Sequence, residues 1–224
     1  MRSGRQSDAL VRVAPVVVLG LVVLALAVIF LVAPIEAQMG LRQKIFYLHL
    51  PCALSAFIGF LICFLASIQY LRSRDLLYDQ VASSAAEVGV LFTTLVLVTG
   101  SMWARAVWGA WWTWDVRLTT TAVLWCIYVG YLVLRANLEN RGRRARASAV
   151  VGIVGFADVP LVYMSIHWWQ TLHPAPVILG GEDSGLADWR MTLTLVLSTV
   201  AVLAVFAWLL YQRVEVARLT EEDA

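Results

Sequence analysis

Six long apolar stretches constrain this chain more than any other feature it carries. At 1.5 Å of rise per residue, about 20 mostly apolar residues cross the roughly 30 Å hydrocarbon core of a bilayer. Residues 14–33, 46–71, 83–103, 118–135, 147–166 and 190–212 all meet that requirement within a chain of 224 residues. Lipid offers no water to the backbone, so such segments must satisfy their own N–H and C=O groups as helices. Composition agrees, with 61% hydrophobic and 14% charged residues, against about 45–50% and about 25% in soluble domains. A water-soluble enzyme, a disordered tail and a disulfide-built secreted domain are thereby excluded. The expected fold is an all-α integral membrane protein, a six-transmembrane-helix bundle forming one membrane domain over residues 1–224.

The first stretch follows Arg2, Arg5 and Arg12, as a signal peptide would. Its apolar run is too long for a cleaved segment, and no small-x-small site precedes Pro34, so a retained helix is expected. Orientation follows from the distribution of basic residues. Of the 17 Lys and Arg, twelve fall in the N-terminus, the 72–82 and 135–146 connections and the tail. Only Arg42, Lys44, Arg105, Arg117 and Arg190 fall on the other side. Both termini are therefore expected in the cytoplasm, with the connections 34–45, 104–117 and 167–189 facing outward. A net charge of +2 gives no reason to expect a nucleic-acid partner. Cys52, Cys63 and Cys126 form no CxxC pair and are expected to be small buried hydrophobes.

Aromatic and imidazole side chains gather on the outward side. Trp103, Trp108, Trp111, Trp112 and Trp114 surround the second outer connection, while Trp168, Trp169 and Trp189 flank the third. Tryptophan favours both membrane interfaces, yet eight of the ten here map to one face. All three histidines, His49, His167 and His173, lie on that face too. Imidazole is a common metal ligand and a usual axial ligand of haem iron. No HExxH or CxxC spacing supports a bare metal site. A large, flat, partly apolar cofactor suits the surroundings better: tryptophan faces stack on a porphyrin, and arginines hydrogen-bond propionates. If the segment from Trp108 to Asp115 is helical, Trp108, Trp111, Trp112 and Asp115 share one face of an interfacial helix. Asp115 is expected to cap or orient local structure, and Arg117 to point outward or toward an anion.

Two carboxylates fall inside spans, where ionisable groups are functional candidates by default. Asp158 stands two residues before Pro160, which frees a backbone carbonyl that a protonated Asp158 could reach. Glu87, near the cytoplasmic end of its span, is expected to be structural.

The pattern Trp108-Gly109-x-Trp111-Trp112-x-Trp114-Asp115-x-Arg117-Leu118-Thr119 resembles the tryptophan-rich WWD signature of the haem-handling proteins of cytochrome c biogenesis. Six spans, Tyr47-Leu48-His49-Leu50-Pro51 and Trp168-Trp169-Gln170-Thr171-Leu172-His173 narrow the resemblance to the CcmC (haem exporter protein C) branch, over residues 40–212 or so. That resemblance implies non-covalent haem b held at the outer surface of the bacterial inner membrane. His49 and His173 would be the axial ligands of the iron. Trp108, Trp111, Trp112 and Trp114 would form the porphyrin platform together with Asp115, and Arg117, with Arg105 as a further candidate, would meet propionates. His167 stands outside the implied ligand positions. The implied partners are a periplasmic haem chaperone that receives the haem, a small single-span membrane protein, ABC-type transporter subunits and membrane lipid. Any catalysis would be assistance to haem transfer.

Three other readings make different predictions. A secondary transporter working through Asp158 would not need His49 or His173. A structural assembly subunit would be colourless. A b-type electron-transfer subunit would hold its haem between helices rather than beside outer loops.

Overall fold

The computed structural model describes residues 2–37, 39–169 and 188–222, with side chains from residue 13 to 220 within those ranges. Among the described residues there are seven α-helices: α1 (Arg2–Ala27), α2 (Phe46–Ser73), α3 (Leu76–Trp108), α4 (Val116–Ala136), α5 (Arg141–Phe156), α6 (Asp158–Trp168) and α7 (Trp189–Glu222). They supply six helices long and apolar enough to cross a membrane, α5 and α6 together making one of them. The chain is therefore a multi-pass membrane protein. One end of the bundle carries most of the tryptophans and the other most of the arginines.

Local chemistry explains where the helices begin and break. Asp75, Asp115, Asn140 and Asp188 each accept a hydrogen bond from a backbone N–H two or three residues on, at 2.8–3.0 Å, and so open α3, α4, α5 and α7. Such caps satisfy donors that have no partner within a helix. Arg190 also bonds the Asp188 carboxylate, holding its pKa below the ordinary carboxylate value. The α5–α6 span is interrupted at Ala157 because Pro160 has no N–H and cannot continue a regular ladder. At the end of α1 the chain makes a π-helical turn over Val28–Val32, and Lys44 Nζ donates to the Phe30 carbonyl at 3.2 Å.

Packing centres on α2 and α3, the most extensively paired helices. A Cβ on Gly59 would lie 3.1 Å from Gly89 Cα, and one on Gly89 would lie 2.7 Å from the Phe60 ring. Only hydrogen fits at either position, and this close approach replaces the hydrophobic drive that lipid cannot supply. Phe60 stacks on Tyr128 of α4 with ring centroids 3.8 Å apart, and Phe92 meets Phe206 of α7 edge-on. Trp125 Nε1 donates to Thr94 Oγ1 at 2.9 Å, and Tyr128 Oη donates to the Gly152 carbonyl at 3.2 Å. These bonds tie α4 to α3 and to α5.

Charges inside the spans are largely paired. Arg135 of α4 donates to both oxygens of buried Asp79 on α3, at 2.6 and 2.9 Å. Glu87 has the structural role expected of it, forming an ion pair with Arg213 that joins α3 to α7. Two expectations need correction. Cys126 is exposed, whereas Cys52 and Cys63 are buried. It stands two residues, about 200° of helix rotation, from buried Leu124 and Tyr128, and so faces away from the core. Asp158 Oδ2 is buried without a hydrogen-bond partner among the described residues, so it makes no bond to a carbonyl freed by Pro160.

The Asp79–Arg135 pair sets a stability test. Asp79→Ala leaves a largely buried guanidinium unpaired and should destabilise the protein by about 3 kcal/mol. Asp79→Asn combined with Arg135→Leu should recover most of that loss. Denaturant titration in mixed micelles, monitored by circular dichroism, measures both.

Candidate functional site at the tryptophan-rich end

His49 lies on the first turn of α2, just before Pro51, whose missing N–H removes one helical hydrogen bond from that turn. Its half-buried imidazole rests against α3. Nδ1 is 2.8 Å from Thr99 Oγ1, and the ring meets Trp103 edge-on with centroids 5.9 Å apart. A Cβ on Gly100 would lie 3.2 Å from His49 Cε1, inside ordinary contact distance. Trp103 in turn packs on Phe46 and joins a small core of Ile29, Ala33, Phe46, Tyr47 and Leu195. Residues of the π-helical turn after α1 and of α2, α3 and α7 thus converge behind the histidine.

The tryptophan-rich connection differs from its expected form. α3 continues through Trp108, so the connection begins at Gly109, not at residue 104. Gly109 takes φ 78° as the helix cap, and Arg105 Nη1 donates to its carbonyl. That left-handed residue is the usual way a helix stops. No helix follows until Asp115 caps α4, so Trp108, Trp111, Trp112 and Asp115 do not share a helical face. The interfacial helix expected over this segment is absent because a C-cap glycine and an N-cap aspartate stand only six residues apart. Trp114 sits at φ 54°, a left-handed conformation rarely adopted by bulky residues and strained by about 1–3 kcal/mol.

The side chains of this connection divide by exposure. Trp111 and Trp114 are 60% and 77% exposed, while Trp108 and Trp112 are half-buried. Trp112 and Trp114 meet edge-on at 5.8 Å. Arg117 Nη2 donates to the Tyr163 carbonyl of α6 at 3.2 Å, so its guanidinium braces α4 against α6. Arg105, engaged at the Gly109 carbonyl, is likewise part of the turn. His167 is exposed and in ring contact with Tyr163. His173 lies outside the described residues. Sequence reasoning missed Thr99, Gly100 and the role of Trp103. Their signal was helical spacing: 99, 100 and 103 fall on one side of α3 once the helix is known to extend beyond them.

Five buried polar atoms at this end have no hydrogen-bond partner among the described residues: Tyr47 Oη, Trp103 Nε1, Trp112 Nε1, Thr113 Oγ1 and Arg117 Nε. An unsatisfied buried donor costs about 1–3 kcal/mol, so several together suit a ligand bearing acceptor groups. Aromatic faces, an imidazole and these donors fit an amphipathic, acid-bearing planar molecule such as haem. Among the described residues no cluster of three His, Cys, Asp or Glu could hold a bare metal ion.

Fold and site together define a class: a polytopic membrane protein with a polar, aromatic surface at one end of its helix bundle. The chain belongs to the CcmC family, described as "Heme exporter protein C", whose model matches residues 2–224. Relatives bearing that name include one from Bradyrhizobium diazoefficiens, 36% identical over 178 residues, which are 79% of this chain and 67% of the relative. Another, from Escherichia coli K12, is 34% identical over 141 residues, 63% of this chain and 58% of the relative. A third, from Haemophilus influenzae, is 32% identical over 192 residues, 86% of this chain and 77% of the relative. The matched part thus spans between about three fifths and three quarters of these relatives' lengths.

Asp115 offers a local test. Asp115→Ala should destabilise the protein by about 1 kcal/mol through loss of the α4 cap, and Asp115→Asn should retain most of that stability. Thermal unfolding midpoints of the two variants in one detergent make the comparison.

Proposed function

We propose that this chain binds haem at the tryptophan-rich end of its bundle and delivers it to a periplasmic haem chaperone during c-type cytochrome biogenesis. In this reading the protein lies in the bacterial inner membrane with both termini cytoplasmic and the tryptophan-rich end outward. Haem b is held without a covalent bond to the chain. A small single-span protein and ABC-type transporter subunits assist release of the loaded chaperone. The observation that carries the reading is the seat of His49: an imidazole fixed against Thr99, Gly100 and Trp103, at the end of the bundle where the Trp103 and Trp112 indole N–H groups are buried without partners among the described residues. Membership of the haem exporter protein C family supports it independently.

The roles follow from chemistry. His49 and His173 ligate the iron. Trp108, Trp111, Trp112 and Trp114 supply the apolar platform, and the exposure of Trp111 and Trp114 suits contact with a planar ligand or lipid headgroups. Asp115 holds the start of α4, which presents Arg117 to a propionate through its unpartnered Nε. Haem contributes the iron and the vinyl groups; the protein contributes ligation, orientation and shielding. The role this assigns to the protein is positioning haem for transfer.

A second reading, transport coupled to Asp158, has one observation in its favour: the buried, unpartnered Oδ2 at the α5–α6 break. The two readings separate by mutation. Haem delivery predicts that His49→Ala and His173→Ala each weaken haem retention by more than tenfold, on the scale of metal-site perturbations. His167→Ala and Asp158→Asn should leave it near the wild-type level. Haem-to-protein ratios after detergent purification provide the measurement. Equal losses from all three histidine variants would contradict the ligand assignment, and an activity in cells that needs Asp158 but neither His49 nor His173 would favour transport.

A further inference from the structure

The hydroxyl of Thr99 has a single proton, and its geometry shows where that proton goes. Thr99 Oγ1 lies 2.7 Å from the Leu95 carbonyl oxygen and 3.3 Å from that of Val96. Carbonyls only accept, so the hydroxyl donates to the backbone of its own helix. Toward His49 Nδ1, 2.8 Å away, it can then offer only a lone pair. A neutral imidazole has one N–H and one bare nitrogen, and the bond made by one nitrogen decides the state of the other.

We infer that Thr99 is the positioning residue for His49, accepting from Nδ1–H and holding the imidazole as the tautomer whose lone pair lies on Nε2. The chain of bonds runs from His49 Nδ1–H to Thr99 Oγ1, and from Thr99 O–H to the Leu95 carbonyl. Gly100 and Trp103 complete the device by fixing the ring. The glycine admits Cε1 where any side chain would crowd it, and the Trp103 edge bounds the ring at an interplanar angle of 68°. Three positions within one turn of α3 therefore set both the orientation and the protonation of a side chain on α2. An iron ligand needs the bare nitrogen turned outward from its support, and a hydrogen bond to the other nitrogen raises its basicity. The inference rests on the proposal that His49 ligates haem for its functional meaning, but the tautomer can be measured without haem.

The test uses the full chain in lipid nanodiscs, free of haem and labelled with 15N-histidine. With three histidines in the chain, His49→Gln assigns the His49 signals by their disappearance. The wild type and Thr99→Ser should show His49 protonated on Nδ1, and Thr99→Val should shift it toward a mixture or the Nε2–H form. Haem titration of the same samples should give affinity lowered about 10- to 100-fold by Thr99→Val and restored in Thr99→Ser. A purely structural role for Thr99 would not move the tautomer. Wild-type His49 protonated on Nε2 would overturn the inference, as would a Thr99→Val protein with unchanged tautomer and affinity. If Thr99→Val fails to fold, the wild-type and Thr99→Ser spectra still decide. A tautomer shift in Thr99→Val, with haem affinity unchanged there and in His49→Ala, would uphold the role of Thr99 and overturn the haem-ligand reading instead.

Discussion

The close approach of α2 and α3 governs the rest of this structure. In lipid, apolar side chains gain little from leaving one hydrocarbon environment for another, so helices associate through backbone proximity and good packing. Gly59 and Gly89 provide that proximity, with space for hydrogen alone at their contact. Because the two helices are antiparallel neighbours, the contact also sets a register. Ten residues from Gly59 along α2 stands His49; ten residues from Gly89 along α3, in the opposite chain direction, stands Thr99. Both steps cover about 15 Å toward the same end of the bundle. The hydrogen bond between His49 and Thr99 is thus a consequence of packing deep in the membrane, and a shift in register there would undo it.

The two ends of the bundle differ in the polar side chains they carry. Toward the arginine-rich end, charges inside the spans are neutralised within the protein, by Asp79 with Arg135 and Glu87 with Arg213. Toward the tryptophan-rich end, tryptophan, threonine, tyrosine and arginine donors are buried without partners among the described residues. Buried polar atoms without partners among the described residues also occur toward the arginine-rich end, on Tyr131 and Ser148, so the indole donors are what distinguish the tryptophan-rich end. The connection between α3 and α4 supplies one of them, on Trp112. A glycine cap and an aspartate cap six residues apart hold three tryptophans in non-repeating backbone, one of them at positive φ. A regular helix would have laid Trp108, Trp111 and Trp112 along a single stripe; the irregular turn splays the indoles between solvent and core.

The six apolar helices were legible because bilayer thickness imposes a length that hydropathy alone reveals. Helix ends were less so: α3 extends to Trp108 because tryptophan, alanine and arginine are compatible with helix, and it is Gly109, rather than the loss of hydrophobicity, that stops it. Asp115 was legible as a cap because a short carboxylate before an apolar run has few other local roles. The i, i+3, i+4 spacing of Trp108, Trp111 and Trp112 imitates a helical face, but Gly109 and Asp115 punctuate the segment and no helix forms between them. Thr99 and Gly100 are marked in the sequence only by their helical spacing from Trp103. A threonine and a glycine in an apolar span are ordinary, and their meaning depends on which residue of another helix lies opposite.

The central claim is that the tryptophan-rich end binds haem through histidine. Its most direct test is an absorption spectrum of the detergent-purified protein, oxidised and reduced, after expression in cells able to make haem. The account predicts a Soret band, split visible bands on reduction and a pyridine haemochrome of b type, all of which mark low-spin, non-covalent haem. A protein that shows no Soret band even after haem is added would contradict it.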